Sequence, residues 1–192
     1  MPVPHQQDPW TKVRTLNDLP ADEVISSLQK EIRRGHTENA ALLACEMLLT
    51  SPELEAMLWF RLQVISVEDI GCGNVNAPVL INTLYEMHQR IPRPHGDRYL
   101  MALHGVRILC TSEKERSSDD LKNWALQTVE SGQAPTIPDY ALDMHTRRGQ
   151  EMGRDLLHFL TEASKVAPEM AERDRTYLDR LIEMAKSGSN DR

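Results

Sequence analysis

The chain has 192 residues, of which 27% are charged and 40% hydrophobic, the profile of a globular protein rather than a disordered one. Its net charge of -7 excludes a whole-molecule attraction to nucleic acid, so any such contact needs a local basic patch. Aromatics are only 5%, which favours helices over strands, and no run approaches the roughly 18 consecutive apolar residues of a membrane span. Cys45, Cys72 and Cys110 are odd in number, far apart and without a CxxC spacing, so they read as reduced thiols. The start, MPVPHQQDPW, lacks the basic and apolar runs of a signal peptide. The expected location is the cytoplasm, and the initiating Met with this arm points to a stand-alone protein.

Residues 1–20 hold four prolines and little periodicity, and are expected to form an extended arm whose Trp10 docks elsewhere. From Asp22 a helical period begins, with Val24, Ile25, Leu28 and Ile32 on one face and Gly35 as its stop. A second helix from about Thr37 aligns Leu42, Leu43, Met47 and Leu48. Ser51-Pro-Glu53 is a strong start signal for a third, with Leu54, Met57, Leu58, Leu62 and Ile65 inside. That helix runs into Glu68-Asp-Ile-Gly71, where glycines break it.

Asn76 is expected to cap a fourth helix that buries Leu80, Ile81, Leu84 and Met87 and ends before Pro92 and Pro94. Gly96 to Thr111 reads as a central fifth helix with Leu100, Leu103, Val106 and Cys110 on one side. Ser117 or Ser118 should cap a sixth, with Leu121, Trp124, Ala125 and Val129 inward. A seventh is expected over 150–165, with Met152, Leu156, Phe159, Leu160 and Ala163 together. An eighth should start near Pro168 and use Met170, Tyr177, Leu178, Leu181 and Met184. Eight helices with short connections and no alternating strand run predict an all-α multi-helix bundle.

The sequence holds no GxxxxGK[ST], and Gly71-Cys-Gly73 lacks the lysine and strand context of a phosphate cradle. No HExxH or dense ligand spacing occurs, although His88, His95 and His104 converge if the fourth and fifth helices pack antiparallel. Cys72, between two glycines, has no neighbouring His-Asp pair to activate it. Adjacent helical residues point about 100° apart, so Glu68 and Asp69 are not expected to share a face; they should pair with an arginine or accept backbone N–H groups. Lys30, Arg33 and Arg34 gather opposite the Val24/Leu28/Ile32 face and are the candidate contacts to DNA or a partner. A second cluster of Arg147, Arg148 and Arg154 is diluted by Asp143, Glu151 and Asp155. No catalytic residue, cofactor or metal ligand follows from these patterns. The alternative readings are a small helical metal-dependent enzyme using His104, His145 and Glu68 or Asp143, and a helical adaptor unrelated to DNA.

Several segments taken in order resemble a known family. These are Ile25-Ser-Ser-Leu-Gln-Lys-Glu-Ile-Arg-Arg34, Ser66-Val-Glu-Asp-Ile-Gly71, Gly96-Asp-Arg-Tyr-Leu100, Ile137-Pro138 and Glu151-Met-Gly153. They resemble the region after the ATPase module in the replication-associated recombination proteins, clamp-loader-like AAA+ ATPases of the RarA/MgsA type. The resemblance covers roughly Asp22 to Gly153. It implies a helical post-AAA+ oligomerisation domain over 21–153, followed by a helical extension over 154–192. It further implies a homo-oligomer, a tetramer in the family, and suggests a separate AAA+ ATPase and DNA as partners. Lys30 and Arg33 match the family's basic helix by position, and Glu68, Asp69 and Gly71 match its acidic turn. Thr111-Ser-Glu-Lys-Glu-Arg116 departs from the family pattern. After Gly153 the family's tail is expected to be replaced by two different helices, and no ATPase activity carries over to these residues.

Overall fold

The computed structural model describes residues 8–188. Among them the architecture is all helical, with a single isolated bridge, between Arg14 and Pro20. The chain divides into two compact units, Met1–Ser131 and Gly132–Arg192. This division falls earlier than the Gly153 boundary expected from the motif order.

The first unit begins with a clasp rather than a loose arm. Asp8 accepts from the Trp10 amide and starts a 3-10 turn over Pro9–Lys12, and Trp10 packs partly against the core. The Leu16 amide donates to Thr50 Oγ1 at 2.8 Å, and Asn17 donates through its amide and side chain to Glu46 at 2.6 and 2.7 Å. These bonds tie the segment to the end of the second helix; residues 1–7 lie outside the described residues.

Helix α1 (Ala21–Arg34) has Asp22 and Glu23 in its first turn and Arg33 and Arg34 in its last, in keeping with the helix dipole. Gly35 ends it at φ 75°, and the Gly35 and His36 amides reach back to the last carbonyls. Helix α2 (Thr37–Thr50) buries Ala40, Ala44, Met47 and Leu48, while Leu42 stays 68% exposed. Helix α3 (Pro52–Ile65) starts as expected, with Ser51 Oγ accepting from the Leu54 amide at 3.2 Å. Its buried row Leu54, Leu58, Leu62 and Ile65 repeats at helical spacing and forms the centre of the core. Helix α4 (Ala77–Gln89) starts without a side-chain cap from Asn76 and buries Ala77, Ile81 and His88. Leu80 and Met87 are exposed instead, because the buried row begins at Ala77. Helix α5 (Gly96–Thr111) packs on α4 and α2 through Ala102, Gly105, Val106, Leu109 and Cys110, and leaves Leu100 exposed.

Helix α6 (Ser117–Glu130) departs most from expectation: it buries no residue. Leu121, Trp124 and Val129, expected inward, are 61%, 65% and 61% exposed. Neither serine caps it by side chain; Glu115 Oε1 accepts from the Ser117 amide at 2.7 Å.

In the second unit the expected seventh helix is broken by Gly153 at φ 72° into α7 (Arg147–Glu151) and α8 (Leu156–His158), which continues as a π turn over Phe159–Ala163. Gly149 lies so close to Asp143 that a Cβ would overlap the Asp143 carbonyl oxygen. The last helix, α9 (Thr176–Lys186), starts eight residues after Pro168 and not at it, and Met170, Tyr177, Leu181 and Met184 are exposed.

Candidate functional site

The acidic turn that the sequence singles out is a buried ionic junction. After α3 the helix widens into a π turn, Ser66–Ile70, followed by a 3-10 turn, Gly71–Asn74. Within this turn Glu68 and Asp69 converge on the same donors, although they were not expected to share a face, and the expected arginine pairing is made twice. Asp69 is fully buried. Arg33 Nε donates to Asp69 Oδ1 at 2.5 Å and Arg33 Nη2 to Glu68 Oε1 at 3.3 Å. Gln29 Nε2 bonds both carboxylates at 2.9 Å. Arg116 Nη1 donates to Asp69 and, at 3.2 Å, to Glu68, while its Nη2 reaches Asp119 at 2.7 Å. Arg61 donates to the Gln29 side-chain carbonyl. One carboxylate pair thus joins α1, α3 and the start of α6.

Burial pushes the Asp69 carboxyl up, but hydrogen bonds from Arg33, Gln29 and Arg116 outweigh it and hold the group below the usual carboxylate range. Burial alone would lower the Arg116 guanidinium; Asp69 and Glu68 raise it instead.

This arrangement changes the reading of the basic cluster. Arg33 shares a face with Gln29 and turns toward the π turn, so its charge is committed inside the unit. Lys30 and Arg34 remain exposed, with Lys30 Nζ on Ser26 Oγ and Arg34 on the Lys30 carbonyl. The three residues therefore do not form one basic surface.

Gly71 serves close packing. It sits at φ 50°, and a Cβ there would overlap the Glu115 carbonyl oxygen; a Cβ on Gly73 would crowd the Glu113 carbonyl in the same way. The Glu115 amide donates to the Asp69 carbonyl at 3.0 Å. Gly71→Ala combines strain with overlap against backbone and is expected to lower stability by about 2 kcal/mol, read from the urea midpoint. A midpoint equal to wild type would show that the Glu113–Glu115 segment does not need this approach.

A second buried cluster went unread in the sequence. Glu55, 3% exposed, accepts from Arg98 Nε at 2.7 Å and lies 3.1 Å from both Arg93 Nε and His88 Nε2. Arg98 also bonds the His88 and Ile91 carbonyls, and Arg93 the Leu48 carbonyl. Burial keeps the His88 imidazole below its usual range. Arg98 lies within the quoted Gly96–Leu100 segment, the one sequence signal that pointed here.

The residues of the metal-enzyme alternative have other commitments. His88 is buried, with Nδ1 at 3.1 Å from the Arg98 carbonyl, and His95 and His104 are exposed. Asp143 accepts from the His145 amide and ring at 2.9 and 3.2 Å. Among the described residues no group of three or more His, Cys, Asp or Glu is placed to hold a metal ion. Cys72 is exposed, and burial raises the Cys45 and Cys110 thiols. In the second basic cluster Arg147 pairs with Glu151 and Arg154 with Asp139, while Arg148 is exposed. No described helix is long and apolar enough to cross a membrane.

No curated protein matches the chain significantly. The family described as MgsA AAA+ ATPase C terminal matches residues 35–170. The match includes the acidic turn and begins just after the Lys30–Arg34 cluster. It also runs past Gly153, so the expected replacement of the family's tail there is corrected: α8 and its π turn lie within the matched region. With this coverage and the all-helical fold, the chain belongs to the family of C-terminal domains of MgsA-type AAA+ ATPases.

Proposed function

We propose that this chain is a non-enzymatic assembly module, forming a homo-oligomer through its first unit in the cytoplasm. The observation that carries the reading is α6. It exposes Leu121, Trp124, Leu126 and Val129 and buries none of its residues. A 14-residue helix is marginal in water without packing, so such a helix needs a protein surface over it. The ionic junction supports the reading, because it fixes the start of α6 to the core through Arg116 and leaves the rest of the helix for contact. A tetramer is the expected order from the family relation. A separate AAA+ ATPase and DNA are the other partners that relation suggests; Lys30 and Arg34 are exposed for them, whereas Arg33 is occupied. Light scattering over a concentration series tests the proposal. The expected mass exceeds the 21.9 kDa of one chain and falls on dilution. A constant monomer mass up to about 100 µM would contradict it.

A further inference from the structure

A cleft of about 380 Å³ lies within the second unit. Its walls come from the π turn after α8, the connection that follows it, and α9. Leu160, Val166, Leu178 and Ile182 give it an apolar side, and Lys165, Arg173 and Arg175 a cationic one. Leu178 and Ile182 stand one turn apart on α9 and so share a face. Glu169 is the acid among the lining residues, and Arg173 answers it. Lys165 and Arg175 pair with Glu162 and Asp179, neither of which lines the cleft. The Lys165 and Arg175 side chains are 66% and 50% exposed, so these are surface pairs that other anions displace readily. A guanidinium or an ammonium also has more donors than one acid takes up. Three cations against one acid thus leave the lining with spare positive charge and unspent donors beside an apolar wall. Helix α9 starts next to Arg175 without a side-chain cap, which adds the positive end of its dipole.

We propose that this cleft binds a small aliphatic carboxylate. The carboxylate sits on Arg175 and Lys165, and the chain lies along Leu160, Leu178 and Ile182. The planar fork of Arg175 suits a carboxylate, which it takes with two parallel N–H bonds. No aromatic side chain is among the lining residues, so a nucleobase finds no stacking partner, whereas an aliphatic chain needs none. The volume sets the length. Small-molecule sites run upward from roughly 300 Å³, and at about 30 Å³ per heavy atom this cleft holds on the order of twelve. That corresponds to an acid of about eight to ten carbons. The inference concerns the second unit and does not rest on the assembly reading, which concerns the first.

The test is a titration of the full chain with sodium octanoate, followed by amide NMR shifts. Acetate serves as the head-only probe and 1-octanol as the tail-only probe. Octanoate is expected to bind with a dissociation constant below about 1 mM and to shift amides between residues 160 and 182. Acetate and octanol are each expected to bind at least about tenfold more weakly. Lys165→Gln combined with Arg175→Gln removes the spare charge and should weaken octanoate by at least about tenfold, with an unchanged circular dichroism spectrum. Lys165→Gln alone repeats this arm, with a loss of about threefold, if the pair does not fold. Octanol binding as tightly as octanoate, or octanoate binding unchanged in a folded variant, overturns the carboxylate site. Shifts centred outside residues 160–182, or none up to about 3 mM, overturn the cleft as the place of binding.

Discussion

Replacing Asp69 by Asn is expected to cost about 3 kcal/mol of stability, read as a lower urea midpoint with an unchanged slope. Asp69 is fully buried and answers two guanidinium groups, those of Arg33 and Arg116. Asn keeps the shape but removes the charge, leaving the half-buried Glu68 as the carboxylate that Arg33 and Arg116 share. Both arginines are about one third exposed, so water relieves part of the penalty, which keeps the figure at the low end for a broken buried pair. A free energy of this size is a large share of a typical domain's stability. Because Arg116 fixes the start of α6, the same variant should also weaken self-association. A loss below about 1 kcal/mol would mean that the junction is dispensable. The pH dependence has a definite sign. The folded carboxyl lies below its unfolded value, so its contribution is present above the ordinary carboxylate range and is lost as pH falls through the folded pKa.

Glu55→Ala is expected to have an effect of similar size, about 3 kcal/mol, by urea unfolding. It leaves buried His88 and the guanidinium groups of Arg93 and Arg98 without the carboxylate they share, and so loosens the two arginines that hold the Leu48 and Ile91 carbonyls. His88 adds a pH signature. Its folded imidazole is held below the ordinary value of 6.5, so between the two the unfolded chain binds the extra proton. Stability is therefore complete above pH 6.5 and declines as pH falls through the folded pKa. His88→Gln should flatten that decline between roughly pH 7 and pH 5. An equally steep decline in the variant would assign it to other groups.

The first five helices were legible because their signals are local. Gly35 stops α1 by a positive φ, Ser51-Pro52 starts α3, and the buried rows of α1 and α3 repeat at helical spacing. The ionic junction was only half legible. That Glu68 and Asp69 would take an arginine follows from their position before Gly71. Which arginine does not: Arg33 and Arg116 lie 36 and 47 residues from Asp69, and only tertiary packing brings them there. The π turn was invisible because α and π geometry share the same apolar pattern locally. The face of α6 was misassigned for another reason. Periodicity identifies a stripe that needs cover, but not whether the same chain supplies it. In the second unit, Gly153 and the π turn at Phe159–Ala163 divide what a continuous apolar pattern presents as one helix.

The assembly claim is tested most directly by native mass spectrometry of the full chain at several loading concentrations. The account predicts masses at whole multiples of 21.9 kDa, ending at a defined closed number of subunits. A single species at 21.9 kDa under every condition would contradict it.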